Sequence, residues 1–140
     1  MKKDDCIFCK IANGEIPSQT VYEDEWFRAI LDLAPATEGH TLILPKEHFA
    51  DLTELDGEYA EKVLKIAAGL GKAMKKGLGC TGFNVVQNNG SDAGQTVMHF
   101  HMHVIPRYGK EDKVPLWKPG TSTPEGLAAT AAKIRGPQGL

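Results

Sequence analysis

The sequence predicts a single domain of mixed strand and helix, on three observations. Val97-Met98-His99-Phe100-His101-Met102-His103-Val104-Ile105 alternates histidine with apolar residues at a period of two, the period of a β-strand. Residues 56–76 carry apolar side chains at spacings of three and four, the period of an amphipathic helix. The 140 residues contain no internal repeat and no second domain, and that length suits one hydrophobic core.

Taken in order, Cys6-Ile7-Phe8-Cys9-Lys10-Ile11 reads as one or two helical turns. Ile7, Phe8 and Ile11 share an apolar face, Gly14 is the stop and Pro17 bars continuation. Gln19 to Asp24 and Trp26 to Asp32 read as two strands joined by a tight turn at Asp24-Glu25. In the second, Phe27, Ala29 and Leu31 share one face, and Ile30 and Asp32 the other. A loop from Pro35 to Gly39 leads to a third strand, His40 to Pro45, closed by its proline and followed by the loop Lys46-Glu47-His48.

The long helix runs from about Asp56 to Lys76, with Tyr59, Val63, Ile66, Leu70 and Met74 as its apolar face. Asp56 is the expected N-cap, Glu58 sits in the first turn, Lys72, Lys75 and Lys76 oppose the dipole at the end, and Gly77 closes it. Phe83 to Asn88 is a fourth strand, Asn89 to Thr96 a glycine-containing loop, and the histidine strand comes fifth. Beyond Pro106 the chain is rich in proline and glycine, and Trp117-Lys118-Pro119-Gly120 reads as a tail anchored by its tryptophan. Thr123-Pro124-Glu125 then opens a short helix over about 124–135, ended by Gly136-Pro137. The domain core is expected over about 4–108, with a C-terminal tail over 109–140.

Composition narrows the function classes. A formal net charge of -2 argues against a general nucleic-acid binder, which would be basic, but leaves room for a small anion held by local donors. No apolar run is long enough to span a membrane, and Met1-Lys2-Lys3-Asp4-Asp5 is too polar for a signal peptide, so a cytoplasmic location is the default. Cys6, Cys9 and Cys80 do not make a disulfide framework. In a reducing compartment Cys6-x-x-Cys9 reads as a metal half-site, a redox pair or two buried thiols; Cys80 reads as an ordinary buried thiol.

As a strand, the histidine stretch puts His99, His101 and His103 on one face and Met98, Phe100, Met102 and Val104 on the other, toward the core. Neighbouring histidines then stand about 6.6 Å apart, and the outer two about 13 Å. Zinc–nitrogen bonds are only about 2 Å, so all three cannot share one metal without distorting the strand, and at least one has another task. The adjacent loop, Asn88 to Thr96, is rich in amides, hydroxyls and glycine, a composition that offers donors to an anion. Imidazole serves phosphate chemistry as a neutral nucleophile or a protonated donor, so a phosphoryl centre is the natural partner of the row. A structural zinc site needs four ligands; the cysteine pair, His48 and one end of the row supply that number.

With those residues in view, the chain resembles the histidine triad (HIT) family. His99-Phe100-His101-Met102-His103-Val104-Ile105 fits its His-x-His-x-His pattern followed by apolar positions. Cys6 to Ile11, Gly39 to Lys46 and Asn88 to Thr96 resemble further segments of it in the same order, over about residues 4 to 108. The likeness is nearest to the nucleoside phosphoramidate hydrolase-like branch in its zinc-binding bacterial form.

The resemblance implies an α+β fold, a five-stranded mainly antiparallel sheet with a short N-terminal helix and one long helix. It implies a homodimer that joins two sheets, with the helix from Asp56 at the interface. His101 would be the nucleophile at the α-phosphorus of a purine nucleoside monophosphate derivative, forming a nucleotidyl-histidine that water hydrolyses. His103 and His40 would support it, His40 by fixing His101 and its protonation. Asn88, Gln95 and Thr96 would hold phosphate oxygens or assist the leaving group, and Asp32 would bind the ribose hydroxyls. Ile7, Phe8, Ile11, Ile30 and Leu33 would form the base pocket. Cys6, Cys9, His48 and His99 would hold structural zinc, and no organic cofactor is expected. Two rival readings are a dinucleoside polyphosphate hydrolase and a zinc-stabilised nucleotide-binding or scaffolding module.

Overall fold

The computed structural model describes residues 1–109, 112, 114 and 116–136. Every residue of Thr41-Leu42-Ile43-Leu44-Pro45 is buried, which requires cover on both faces. The elements in chain order are α1 (Ile7–Ala12), β1 (Thr20–Glu23), β2 (Phe27–Leu31), β3 (Thr41–Pro45), α2 (Gly57–Leu78), β4 (Gly82–Val86), β5 (Met102–Arg107) and α3 (Pro124–Arg135). The strands form one sheet in the order β1-β2-β3-β5-β4 with every pairing antiparallel, which puts β3 in the middle. This is the five-stranded α+β architecture expected above.

Strand alternation decides what each face holds. Phe27 and Ala29 of β2, Ile43 of β3, and Met102 and Val104 of β5 meet Tyr59, Val63, Ala67 and Met74 of α2 in the larger core cluster. Ile30, Leu42 and Leu44 point the other way and pack under Phe8, Ile11 and Ala12 of α1. Each large apolar side chain buried there contributes about 1.5–3 kcal/mol. His103 lies between Met102 and Val104, so its side chain falls on the α1 face. The histidines therefore share that face with the N-terminal segment, which brings the cysteine pair to them.

Asp56 caps α2 by accepting from the Glu58 N–H, as expected, but the helix runs past Gly77 to Leu78. Gly79 closes it because its φ of 72° is left-handed. β4 leaves the sheet after Val86, short of the expected Asn88. The hydrogen-bonded part of the histidine stretch begins only at Met102, because β3 pairs no further than Ile43 against it. Ahead of that point Phe100 N–H donates to Phe49 O at 2.6 Å, and Met98, expected on the core, is 49% exposed. Leu31 is partly exposed on its edge of the sheet. Cys80 is buried, as expected.

Thr123 caps α3 and Pro124 opens it, matching the sequence, whereas Trp117 is 85% exposed and not the buried anchor expected. Pro137, the expected stop, lies outside the described residues.

Gly71 yields a stability prediction. A Cβ there would overlap the ring of Phe83, whereas at Gly69 and Gly77 it would meet nothing within 4 Å. Alanine gains up to about 1 kcal/mol over glycine within a helix, and overpacking costs about 1–3 kcal/mol. Gly71→Ala is expected to lower unfolding free energy by about 1 kcal/mol, while Gly69→Ala raises it by about 0.5–1 kcal/mol. Urea denaturation of both variants checks the pair.

Candidate functional site: a histidine relay beside a cysteine–histidine cluster

The first half of the site is assembled from three separate segments. Cys6 and Cys9 flank the first turn of α1, His48 follows β3, and His99 precedes β5. Their ligand atoms all lie within 4.8 Å of one another. His99 Nδ1 is 3.4 Å from both Cys6 Sγ and Cys9 Sγ, and His48 Nδ1 is 3.4 Å from Cys9 Sγ. A tetrahedron with zinc–sulfur bonds of about 2.3 Å and zinc–nitrogen bonds of about 2.05 Å has sulfur–nitrogen edges of about 3.5 Å. The four residues therefore fit such an ion.

The surroundings suit it too. His99 Nε2 donates to Pro45 O at 2.9 Å, which leaves Nδ1 as the ligating lone pair. Burial holds the His99 pKa down, to about 4, so the ring stays neutral. Cys6 Sγ accepts from Cys9 N–H at 3.4 Å and Cys9 Sγ accepts from Lys3 N–H at 3.3 Å. These are contacts a thiolate favours. Burial raises the Cys9 pKa above the ordinary thiol value when no cation is present.

The second half is a chain of hydrogen bonds that sets tautomers from the backbone outward. Ala36 N–H donates to His40 Nδ1 at 2.9 Å. A neutral His40 then carries its proton on Nε2, which lies 2.8 Å from His103 Nδ1 and donates to it. His103 in turn carries its proton on Nε2, a donor with no partner among the described residues. His101 is set oppositely: its Nδ1 donates to His99 O at 2.7 Å, so Nε2 keeps the lone pair. The His101 and His103 rings are 5.1 Å apart, centre to centre. The two rings thus offer one nucleophilic nitrogen and one N–H donor side by side.

Asp32 Oδ2 stands 3.7 Å from His40 Nε2, while its Oδ1 accepts from Ala34 N–H at 2.8 Å and caps the turn after β2. Burial pushes the His40 pKa down, and the Asp32 charge opposes that.

Most of the expected residues converge, and some do not act as expected. His40 is bonded to His103, not to His101, whose ring is fixed by the His99 carbonyl instead. Gln95 is 3% exposed, and its donors and acceptor are taken up within the loop. Its amide donates to Ala50 O and Val97 O and its carbonyl accepts from Gly90 N–H, so it pins the loop and has no donor left for a phosphate. The Asn88 side-chain amide packs beside Gly94, whose left-handed φ of 94° suits glycine.

Thr96 and Ile7 line one cleft of about 520 Å³ together with Val97, Met98 and His48. The Phe8 ring stands edge-on to His101 at 5.0 Å. Ile11 and Ile30 pack in one cluster between α1 and the sheet, Ile30 only 5% exposed. Leu33 is 99% exposed in the turn that Asp32 caps. Ala36 N–H and the carbonyls of Pro45 and His99 were missed, because a backbone group has no sequence signature.

His103 yields a pH prediction. Burial, aided by the charges of His101 and His40, lowers its pKa to about 4 from the 6.5 of an unfolded chain. Below pH 6.5 the unfolded chain takes up a proton that the folded one refuses. This contribution is complete above pH 6.5 and is lost as the pH falls toward 4. The melting temperature of His103→Gln should therefore fall less between pH 7 and pH 4.5 than that of the unsubstituted protein. Parallel melts at equal zinc check it.

Against known proteins, the HIT domain pattern matches residues 13–110, and the chain belongs to the HIT family. Protein hit of Bacillus subtilis is 45% identical over 116 residues, 82% of this chain and 80% of that protein. Adenosine 5'-monophosphoramidase hnt1 of Schizosaccharomyces pombe is 38% identical over 130 residues, 92% of this chain and 95% of that protein. A HIT family protein from Bacillus anthracis superposes with a TM-score of 0.83 at 44% identity, covering 94% of this chain and 95% of that one. A zinc-bound histidine triad family protein from Mycobacterium smegmatis gives 0.75 at 37% identity, covering 94% of each chain. No helix among the described residues is long and apolar enough to cross a membrane.

Proposed function

We propose that this protein hydrolyses phosphoramidate or related derivatives of purine nucleoside monophosphates through a nucleotidyl-His101 intermediate. The observation that carries the reading is the pair of opposed tautomers: a lone pair on His101 Nε2 beside an N–H on His103 Nε2. His101 Nε2 attacks the α-phosphorus, and the bond to the leaving amine breaks as that amine takes a proton from solvent, which the hydrolysing water returns in the second step. His103 Nε2–H donates to a phosphate oxygen and stabilises charge as it develops. Water then attacks the same phosphorus, the phosphorus–nitrogen bond to His101 breaks, and the nucleoside monophosphate departs. Asn88 and Thr96 contact the phosphate or the leaving group, Asp32 the ribose hydroxyls, and Ile7 and Phe8 the flat base.

Cys6, Cys9, His48 and His99 hold zinc in this reading. Four protein ligands leave no open position, so the ion supplies a cross-link between α1 and the start of the histidine stretch and no chemistry at phosphorus. The whole chain acts as one domain, as a cytoplasmic homodimer joined through α2 and its sheet. The exposed Val85 and Val86 on edge strand β4 suit such pairing, and three free cysteines suit a reducing compartment.

The deciding experiment follows adenosine 5'-phosphoramidate and a diadenosine polyphosphate side by side by chromatography. Faster cleavage of the phosphoramidate is expected. Preference for the dinucleotide would reassign the substrate, and tight nucleotide binding without turnover of either would sink the enzyme reading.

A further inference from the structure

A second cleft, of about 470 Å³, opens where the start of β2, the end of β3 and the first turn of α2 meet. It shares no lining residue with the cleft beside Thr96. Its wall is aromatic: Trp26 and Phe49 stand edge-on to Tyr59, with ring centres 4.7 and 4.9 Å away. Four carboxylates rim it, those of Glu25, Glu47, Asp56 and Glu58. Asp56 is occupied in capping α2, and Glu47 lies 3.7 Å from the Met1 ammonium.

Tyr59 points to a ligand. It is only 7% exposed, yet its hydroxyl has no hydrogen-bond partner among the described residues. No fully buried side-chain nitrogen or oxygen among those residues lacks a partner, so this hydroxyl keeps some exposure, and its residue lines the cleft. Burial and the charges of Glu47, Asp56, Asp24 and Glu58 raise its pKa, which keeps it a neutral oxygen able to accept an N–H.

The carboxylates do not suit a metal ion. No three of them bring oxygens within 4.8 Å of one another, and a divalent cation needs converging oxygens. Spread negative charge over aromatic walls suits an organic cation instead. Lys62 already shows the affinity locally, its ammonium 4.9 Å above the Trp26 ring.

We propose that this cleft binds an aliphatic ammonium ion, the group shared by free polyamines and lysine side chains. The ammonium sits between Glu25 and Glu47 with its alkyl chain against Trp26 and Phe49, and the Tyr59 hydroxyl accepts one of its protons.

The test is an NMR titration of the full-length zinc-loaded protein at physiological ionic strength, which screens loose surface attraction. The Trp26 indole and Glu25 amide signals are followed with spermidine, Nα-acetyl-lysine methylamide and the neutral isostere 1,5-pentanediol. Saturable shifts with the amines and none with the diol are expected. Tighter spermidine marks a free polyamine as the source, and an equal response to the lysine amide marks a protein side chain; either upholds the site. Glu25→Gln with Glu47→Gln, both on exposed residues, should weaken binding by ~10-fold and leave nucleotide turnover unchanged. Tyr59→Phe, which keeps the ring packing, should weaken it less. Absence of saturable shifts with both amines, an equal response to the diol, or undiminished binding in the double variant would overturn the proposal.

Discussion

Substituting His101 by Asn is expected to lower kcat by at least ~10⁴-fold, about 5 kcal/mol of barrier, while nucleotide affinity stays within a few-fold. The asymmetry follows from the ring's surroundings. His101 is buried, donates only to the His99 carbonyl, and takes part in no other hydrogen bond among the described residues. Asparagine reproduces that one donor through its amide, so the fold and the neighbouring relay have no reason to move. It cannot supply the lone pair on Nε2, so no phosphorus–nitrogen bond forms.

His40→Ala acts indirectly by comparison. It removes the donor that sets the His103 tautomer, so it should slow turnover by ~10² while a burst of covalent nucleotide remains detectable. Rapid-quench measurement of labelled protein separates the two. A His101→Asn variant that still accumulates covalent nucleotide would falsify the nucleophile assignment.

The parts of this site legible in the sequence are those written in side-chain spacing. The alternation of His99, His101 and His103 with Phe100 and Met102 placed the imidazoles opposite the core without any pairing information. Asp56 announced the start of α2, since capping is a local property. Its end was misplaced by two residues because Gly77 and Gly79 look alike in sequence, and only Gly79 takes the left-handed φ.

Gln95 misled for a related reason. An amide in a glycine-rich loop reads as a free donor, and only the folded loop shows that Ala50, Val97 and Gly90 take up its bonds. The relay itself was beyond reach. Its direction is set by Ala36 N–H and the His99 carbonyl, groups that nearly every residue carries.

Cys9→Ser is expected to abolish stoichiometric zinc and to destabilise the protein by about 3 kcal/mol or more, a fall in melting temperature of roughly 10 °C. Cys9 is fully buried, and its sulfur is the point where His48, His99 and the Lys3 N–H meet. The ion would tie three segments together: α1, the loop after β3 and the lead into β5. Losing it frees the N-terminal segment and the two residues just before His101, so kcat should fall as well, by less than in His101→Asn. Cys80→Ser is the matched control. That thiol is buried among the α2-side core residues and belongs to no ligand cluster among the described residues, so the same substitution should cost only about 1 kcal/mol and leave zinc content unchanged. Elemental analysis and thermal melts with and without chelator read both variants. Chelation should bring the unsubstituted protein down to the stability of Cys9→Ser and leave that variant unmoved. If the metal-free protein melts where the metal-loaded one does, the cross-link is not what holds α1 to the histidine stretch. Packing of Phe8 and Ile11 on Ile30, Leu42 and Leu44 would then have to suffice.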